Sequence, residues 1–152
     1  MLRWVTAVAA ALVLAAPATA MAGLTKNEAA LLRQMNVVRA QHGLGRLTFA
    51  QNLERAARSH SHSMLAGNVF AHGAFGSRML QFDISGTFAG ENLAWGTGTR
   101  GTARGVVAAW LASPEHRANL LRPSFKRVGV GALTGTFLGH QGARVITADF
   151  AG

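Results

Sequence analysis

Cysteine is absent from the 152 residues. That excludes a disulfide framework and any Cys-His nucleophile, so stability has to come from packing alone. Acidic residues are scarce as well: six stand against 15 lysines and arginines, for a formal net charge of +9 at neutral pH. Such a balance favours anionic partners, whether envelope polymers, acidic lipid or nucleic acid, and says nothing about fold. The basic residues are scattered except for Arg117, Arg122, Lys126 and Arg127, a grouping that reads as a solvated face. The longest apolar run covers residues 5–16, short of the roughly 20 residues a membrane-spanning helix needs. There is no repeat, no low-complexity segment, no Ser-His-Asp spacing and no glycine-rich phosphate loop.

What stands at the start is a secretory leader. Met1-Leu2-Arg3-Trp4 is a short basic opening, the apolar run follows, and Pro17-Ala18-Thr19-Ala20-Met21-Ala22 offers small-residue cleavage sites after Ala20 or Ala22. Residues 1–22 are taken as the signal peptide and 23–152 as one domain, so that the 152 residues less the leader leave 130, enough for one core. The product is expected in the periplasm or outside the cell. Export, together with the lack of aromatic and basic interleaving, disfavours nucleic acid as a partner.

Helical spacing then dominates. Thr25 and Glu28 form a capping box ahead of Leu31, Leu32, Met35 and Val38, and Gly43 stops the run with His42 at its C-terminal end. A second helix is expected over residues 48–67, capped by Thr48 and Gln51, with Leu53, Ala57, His60 and Met64 on its inward stripe. His60 and His62 lie about 200° apart on such a helix and cannot share a metal from it; His60 reads as a core histidine bonded to backbone. A helical turn near residues 78–82, a helix over 102–112 and a short helix opened by Ser113-Pro114 follow. Residues 88–95, 128–133 and 144–150 read as strands, the last two as a hairpin whose turn holds an exposed His140. Helices packed on a small, mostly antiparallel sheet is the resulting α/β class.

Within the first of those strands, Ala89-Gly90-Glu91-Asn92-Leu93-Ala94-Trp95-Gly96 places one carboxylate in an apolar run. A buried carboxylate must neutralise or find partners. His72, 19 residues before it in a loop, and His116, 25 after it in the first turn of a helix, are the candidates, and one cleft shared by the three is the functional reading. A structural acceptor for backbone N–H groups is the alternative. Glu115, favoured by the helix dipole at the same first turn, has a capping role of its own.

Several separated stretches together resemble one family. They are Asn36-Val37-Val38-Arg39, Ala56-Ala57-Arg58-Ser59-His60-Ser61-His62-Ser63-Met64, Phe70-Ala71-His72, Gly90-Glu91-Asn92-Leu93, Trp110-Leu111-Ala112-Ser113-Pro114-Glu115-His116-Arg117, Val128-Gly129-Val130-Gly131 and Thr147-Ala148-Asp149-Phe150. In this order they resemble the bacterial SCP-domain branch of the CAP superfamily, which unites cysteine-rich secretory proteins, antigen five and pathogenesis-related protein one. The resemblance implies a three-layer α-β-α sandwich with a cavity lined by two histidines and two glutamates that can hold a divalent metal. His72, Glu91 and His116 match three of the four. The fourth position, three residues after Trp110, is Ser113, and Glu115 is the nearest substitute. Two imidazoles and a carboxylate suit zinc, and equally suit a metal-free hydrogen-bonded cluster. Two functions follow: an exported module binding a lipid, glycan or anionic envelope polymer, or a zinc-dependent hydrolase, a peptidase or esterase, using the same cavity.

Overall fold

A computed structural model describes residues 23–152; the signal-peptide assignment, 1–22, lies outside the described residues. The first helix, α1 (Lys26–Gln41), begins as its capping box requires: Thr25 accepts from the Glu28 amide, and Glu28 accepts from the Thr25 amide at 2.8 Å. His42 caps its end, with Nδ1 2.9 Å from the Val38 carbonyl.

The chain continues through β1 (Thr48–Phe49), α2 (Gln51–Gly67), α3 (Phe75–Gln81), β2 (Ala89–Gly96), a 3₁₀ turn at Gly98–Gly101, α4 (Ala103–Ala112), α5 (Pro114–Leu120), β3 (Arg127–Phe137) and β4 (His140–Ala151). The sheet order is β1-β3-β4-β2, with β1 parallel to β3 and the other pairs antiparallel. Alternation along β4 sends Ile146, Ala148 and Phe150 into a core shared with Leu31 and Met35 of α1 and Val107 and Trp110 of α4. On the opposite face Val145 packs with Met64 of α2 and Leu93 of β2. Helices therefore cover both sides of the sheet, the expected α-β-α sandwich.

Three local expectations are corrected. Thr48 does not open α2: its amide and hydroxyl both bond to the Lys126 carbonyl, holding it in β1, and the helix starts after Ala50 without a side-chain cap. Sheet pairing has outbid the capping box, a tertiary override of a local signal. Ser113 occupies the N-cap of α5 by position but makes no side-chain cap bond. The hairpin strands are longer than expected, so His140 opens β4 rather than sitting in the turn; it is exposed, as expected, with its ring 5.3 Å from that of Trp95.

Two devices set the layers. Gly129 and Gly131 face α2 so closely that a Cβ at either would land on the helix backbone of Leu53 and Glu54, or Ala57 and Arg58; glycine there lets helix and sheet touch. Buried Arg39 donates to the carbonyls of Gly45, Leu120, Arg122 and Phe125, tying α1 to the segment after α5. Finally, the side chains of Trp110 and Asn119 donate to the Leu93 and Glu91 carbonyls of β2 at 2.9 and 3.0 Å.

Candidate functional site

Register builds the site. Glu91 of β2 pairs with Asp149 of β4, and Asp149 with Gly129 of β3, so the two carboxylates stand side by side on the face covered by α2 and α3. Because β2 is an edge strand, Glu91 reaches the border of that face, where the loop between α2 and α3 folds over it. His72 in this loop places Nδ1 2.6 Å from Glu91 Oε1. Arg78 of α3 donates to Glu91 Oε2 and, at 3.4 Å, to the His72 carbonyl; it also lies 3.6 Å from Asp149 Oδ1. His60 of α2 donates from Nε2 to the Ala71 carbonyl at 2.9 Å and stands 3.8 Å from Glu91 Oε2.

Burial sets the protonation of this cluster. It pushes Asp149 up to about 8, and the neighbouring Glu91 charge adds to the rise while Arg78 opposes it. Burial also raises Glu91, to about 7, against the lowering influence of Arg78 and of the neighbouring Asp149. Two adjacent carboxylates in low dielectric cannot both ionise cheaply. Neither Asp149 oxygen has a hydrogen-bond partner among the described residues, and with burial and the neighbouring Glu91 charge both raising its pKa, Asp149 is the carboxyl that keeps its proton. Glu91, ionised beside Arg78, then accepts from His72 Nδ1–H. His60 is pushed down to about 4 by burial and then by the Arg78 charge, so it is neutral.

The Gly-Glu-Asn stretch has a physical reason at each position. A Cβ on Gly90 would come within 2.8 Å of the Phe125 ring and 3.0 Å of Asn119 Oδ1. Asn92 donates to the His116 carbonyl at 2.9 Å and accepts from Asn119 at 3.0 Å. Strand β2 and helix α5 are thereby stitched together, and His116 rides on that seam. Its half-buried ring is held below the usual imidazole range by burial first and then by the electrostatic influence of the nearby His72.

Of the residues singled out from sequence, His72 and Glu91 are thus in contact. His116 is near enough to His72 for the two rings to interact electrostatically, although no hydrogen bond joins its ring to His72 or Glu91 among the described residues. Glu115 is exposed and acts on His116 only electrostatically, and Ser113 is half-buried. His60 is backbone-bonded as expected, yet it also borders the carboxylates. Arg78 and Asp149 were missed. The reasoning that found Glu91 applies unchanged to Asp149, a lone acid in Val145-Ile146-Thr147-Ala148-Asp149-Phe150; Arg78, in a short helix, gave no such signal.

The donor set fits a divalent ion poorly. Each Glu91 oxygen is already engaged, one by His72 and one by a guanidinium whose fixed charge opposes a second cation at that carboxylate. Among the described residues no three His, Cys, Asp or Glu side chains are grouped to hold a metal ion.

Comparison with known proteins agrees with the fold. The chain is 40% identical over 101 residues to the Bacillus subtilis (strain 168) protein YkwD, a match covering 63% of this chain and 38% of that protein. It therefore spans well under half the length of that relative. An extracellular SCP-domain protein from Bacillus anthracis superposes with a TM-score of 0.69 at 28% identity, covering 82% of this chain and 40% of that one. An outer surface protein of Borrelia burgdorferi superposes with a TM-score of 0.71 at 22% identity, covering 83% and 92%, a likeness of fold alone. No helix among the described residues is long and apolar enough to cross a membrane. The cysteine-rich secretory protein (CAP) family profile matches residues 32–148, and the chain belongs to that family, in its bacterial SCP-domain branch.

Proposed function

We propose that this is an exported CAP module that binds an acidic, hydroxyl-rich polymer of the cell envelope at the His72 edge of the sheet. The observation that carries the reading is the 2.6 Å contact between His72 Nδ1 and Glu91 Oε1 with the imidazole more than half exposed. Glu91 is an orienter: it fixes the ring and its tautomer, leaving Nε2 on the open side as an acceptor for a ligand hydroxyl. The cationic surface supplies attraction for the ligand's acidic groups. Export is supported by the leader-like first residues and by the extracellular relative from Bacillus anthracis.

A hydrolase would need a nucleophile or an activated water at this edge. Among the described residues no hydroxyl meets His72, and Ser61 is turned inward to Thr147 and the Gly131 carbonyl. The zinc reading requires the Arg78 guanidinium to leave Glu91.

Binding to polygalacturonate, which carries both hydroxyls and carboxylates, tests the proposal against polyphosphate, which lacks hydroxyls, and dextran, which lacks charge. Polygalacturonate should bind tightest, and His72→Ala should weaken it about tenfold, the worth of one hydrogen bond. No preference for polygalacturonate, or an unaffected His72→Ala variant, removes the proposal. Stoichiometric zinc in untagged protein that vanishes with His72→Ala would replace it with the metal reading.

A further inference from the structure

Of the four basic residues that the sequence groups together, Arg127 is turned to the Ser85 carbonyl, and Arg117 and Lys126 are exposed. Arg122 is held in another way. Its exposed guanidinium lies 5.3 Å from the ring centroid of Phe88 and 5.3 Å from that of Phe125, within the range of cation–π attraction. The side chains of Arg39, Arg58, Arg78 and Arg144 donate to carbonyls or carboxylates of their own chain. Among the described residues no such acceptor meets the N–H groups of Arg122.

The seat beneath this guanidinium is rigid. Phe125 is buried and stacked on Phe150, with centroids 5.4 Å apart and planes 12° from parallel. Its ring closes on β2 because residue 90 is glycine, where a Cβ would come within 2.8 Å of it. Phe88 is fixed by exchanging backbone hydrogen bonds with Gly152 at 3.1 and 3.0 Å. The Arg122 carbonyl accepts from buried Arg39 at 3.1 Å and from the Phe125 amide at 3.3 Å. Root and rings are thus set in advance, so little side-chain freedom is left to lose on binding. The two rings hold the cation without using its N–H donors, whose planar fork matches the paired oxygens of a carboxylate.

Two elements place this seat relative to His72. Phe88 precedes Glu91 by three residues of extended chain, about 10 Å. Arg122 follows His116 by six residues along and just past α5, about 9 Å at helical rise. Glu91 contacts His72 and His116 interacts with it, so Arg122 lies on the same β2 margin, a short oligosaccharide away. We infer that Arg122 is a second contact for the acidic polymer and takes one of its carboxylates edge-on through two N–H groups while His72 meets a hydroxyl. This assignment rests on the polymer reading of the His72 edge, and it makes the acid a carboxylate recognised by shape as well as by charge.

The test compares binding of polygalacturonate with binding of its fully methyl-esterified form, which keeps hydroxyls and lacks charge. Arg122→Lys retains the positive charge and loses the planar fork. Polygalacturonate should then bind about tenfold more weakly, as loss of one charge-assisted hydrogen bond predicts, while the ester binds as it does to wild type. Phe88→Leu should weaken polygalacturonate about threefold, since the guanidinium loses one of its rings. Arg55→Gln, which removes an exposed charge from α2, should leave affinity near the wild-type value at about 0.15 M salt. The Tm of Arg122→Lys should match wild type, because the backbone bonds of residue 122 remain. Undiminished affinity in the folded Arg122→Lys protein overturns the inference, as does an equal loss for acid and ester, or an equal loss from Arg55→Gln. Polyphosphate binding that Arg122→Lys weakens more than polygalacturonate binding also overturns it and assigns the seat to phosphate. His72→Ala separates the two readings. If that variant binds polygalacturonate like wild type while Arg122→Lys does not, the His72 proposal falls and the carboxylate seat stands; the reverse pattern removes the seat alone.

Discussion

Asp149 carries the sharpest consequence of a single side chain. Its folded pKa lies above its unfolded value, and so does that of Glu91, so the folded state binds protons more tightly than the unfolded chain. Their contribution is complete below about pH 4 and is lost as pH rises through about 8. His60 works the other way: its pKa is depressed from 6.5 to about 4, so its contribution holds above 6.5 and is lost as pH falls toward 4. Asp149→Asn keeps the size of the side chain but cannot ionise. Wild-type Tm is expected to decline between about pH 4 and 8 and the variant to decline less steeply, with Glu91 still titrating, and parallel curves in a thermal scan across that range would contradict a raised Asp149. Glu91 was legible from sequence because a lone acid in an apolar strand demands partners. His72 was legible as one of those partners, but the others were not, since the choice between His116 and the Arg78–Asp149 pair depends on strand register and on where a loop closes.

At the scale of elements, the capping box of α1 forms because nothing tertiary competes for Thr25, whereas at Thr48 the pull of β3 outweighs the same local pattern. Local signals thus located α1, α4 and β2 to within a residue or so and misjudged the start of α2. The Gly-Val-Gly spacing of β3 reads in sequence as a permissive strand. Its actual meaning, contact of a helix with the sheet, becomes visible only when both layers are present. Gly131→Ala should therefore lower unfolding free energy by about 3 kcal/mol, at the upper end of overpacking penalties, read as a lower urea midpoint with unchanged slope. A loss within experimental error would mean that α2 can lift from the sheet at no cost.

For the molecule as a whole, charge and fold act separately. The six acids are mostly consumed internally: Glu28, Glu54, Glu91 and Asp149 are buried, which leaves the outer surface more cationic than the bare count suggests. Raising salt from about 0.05 to 0.5 M, which shortens the screening length several-fold, should weaken polygalacturonate binding about tenfold or more and shift Tm little. A salt-independent affinity would locate the recognition in uncharged contacts. The family and its sandwich were readable from the order of motifs because those motifs mark where layers meet. The Arg122 seat was not, since its two rings come from separate segments that meet only in the assembled surface. One further consequence comes from Trp110 and Asn119, whose side chains occupy outward carbonyls of β2. A bare sheet margin is a template on which a foreign chain can zip up. Here the margin is plugged by the protein's own indole and amide, so this side of the sheet resists growth into fibrils even when the protein is crowded against a wall or membrane.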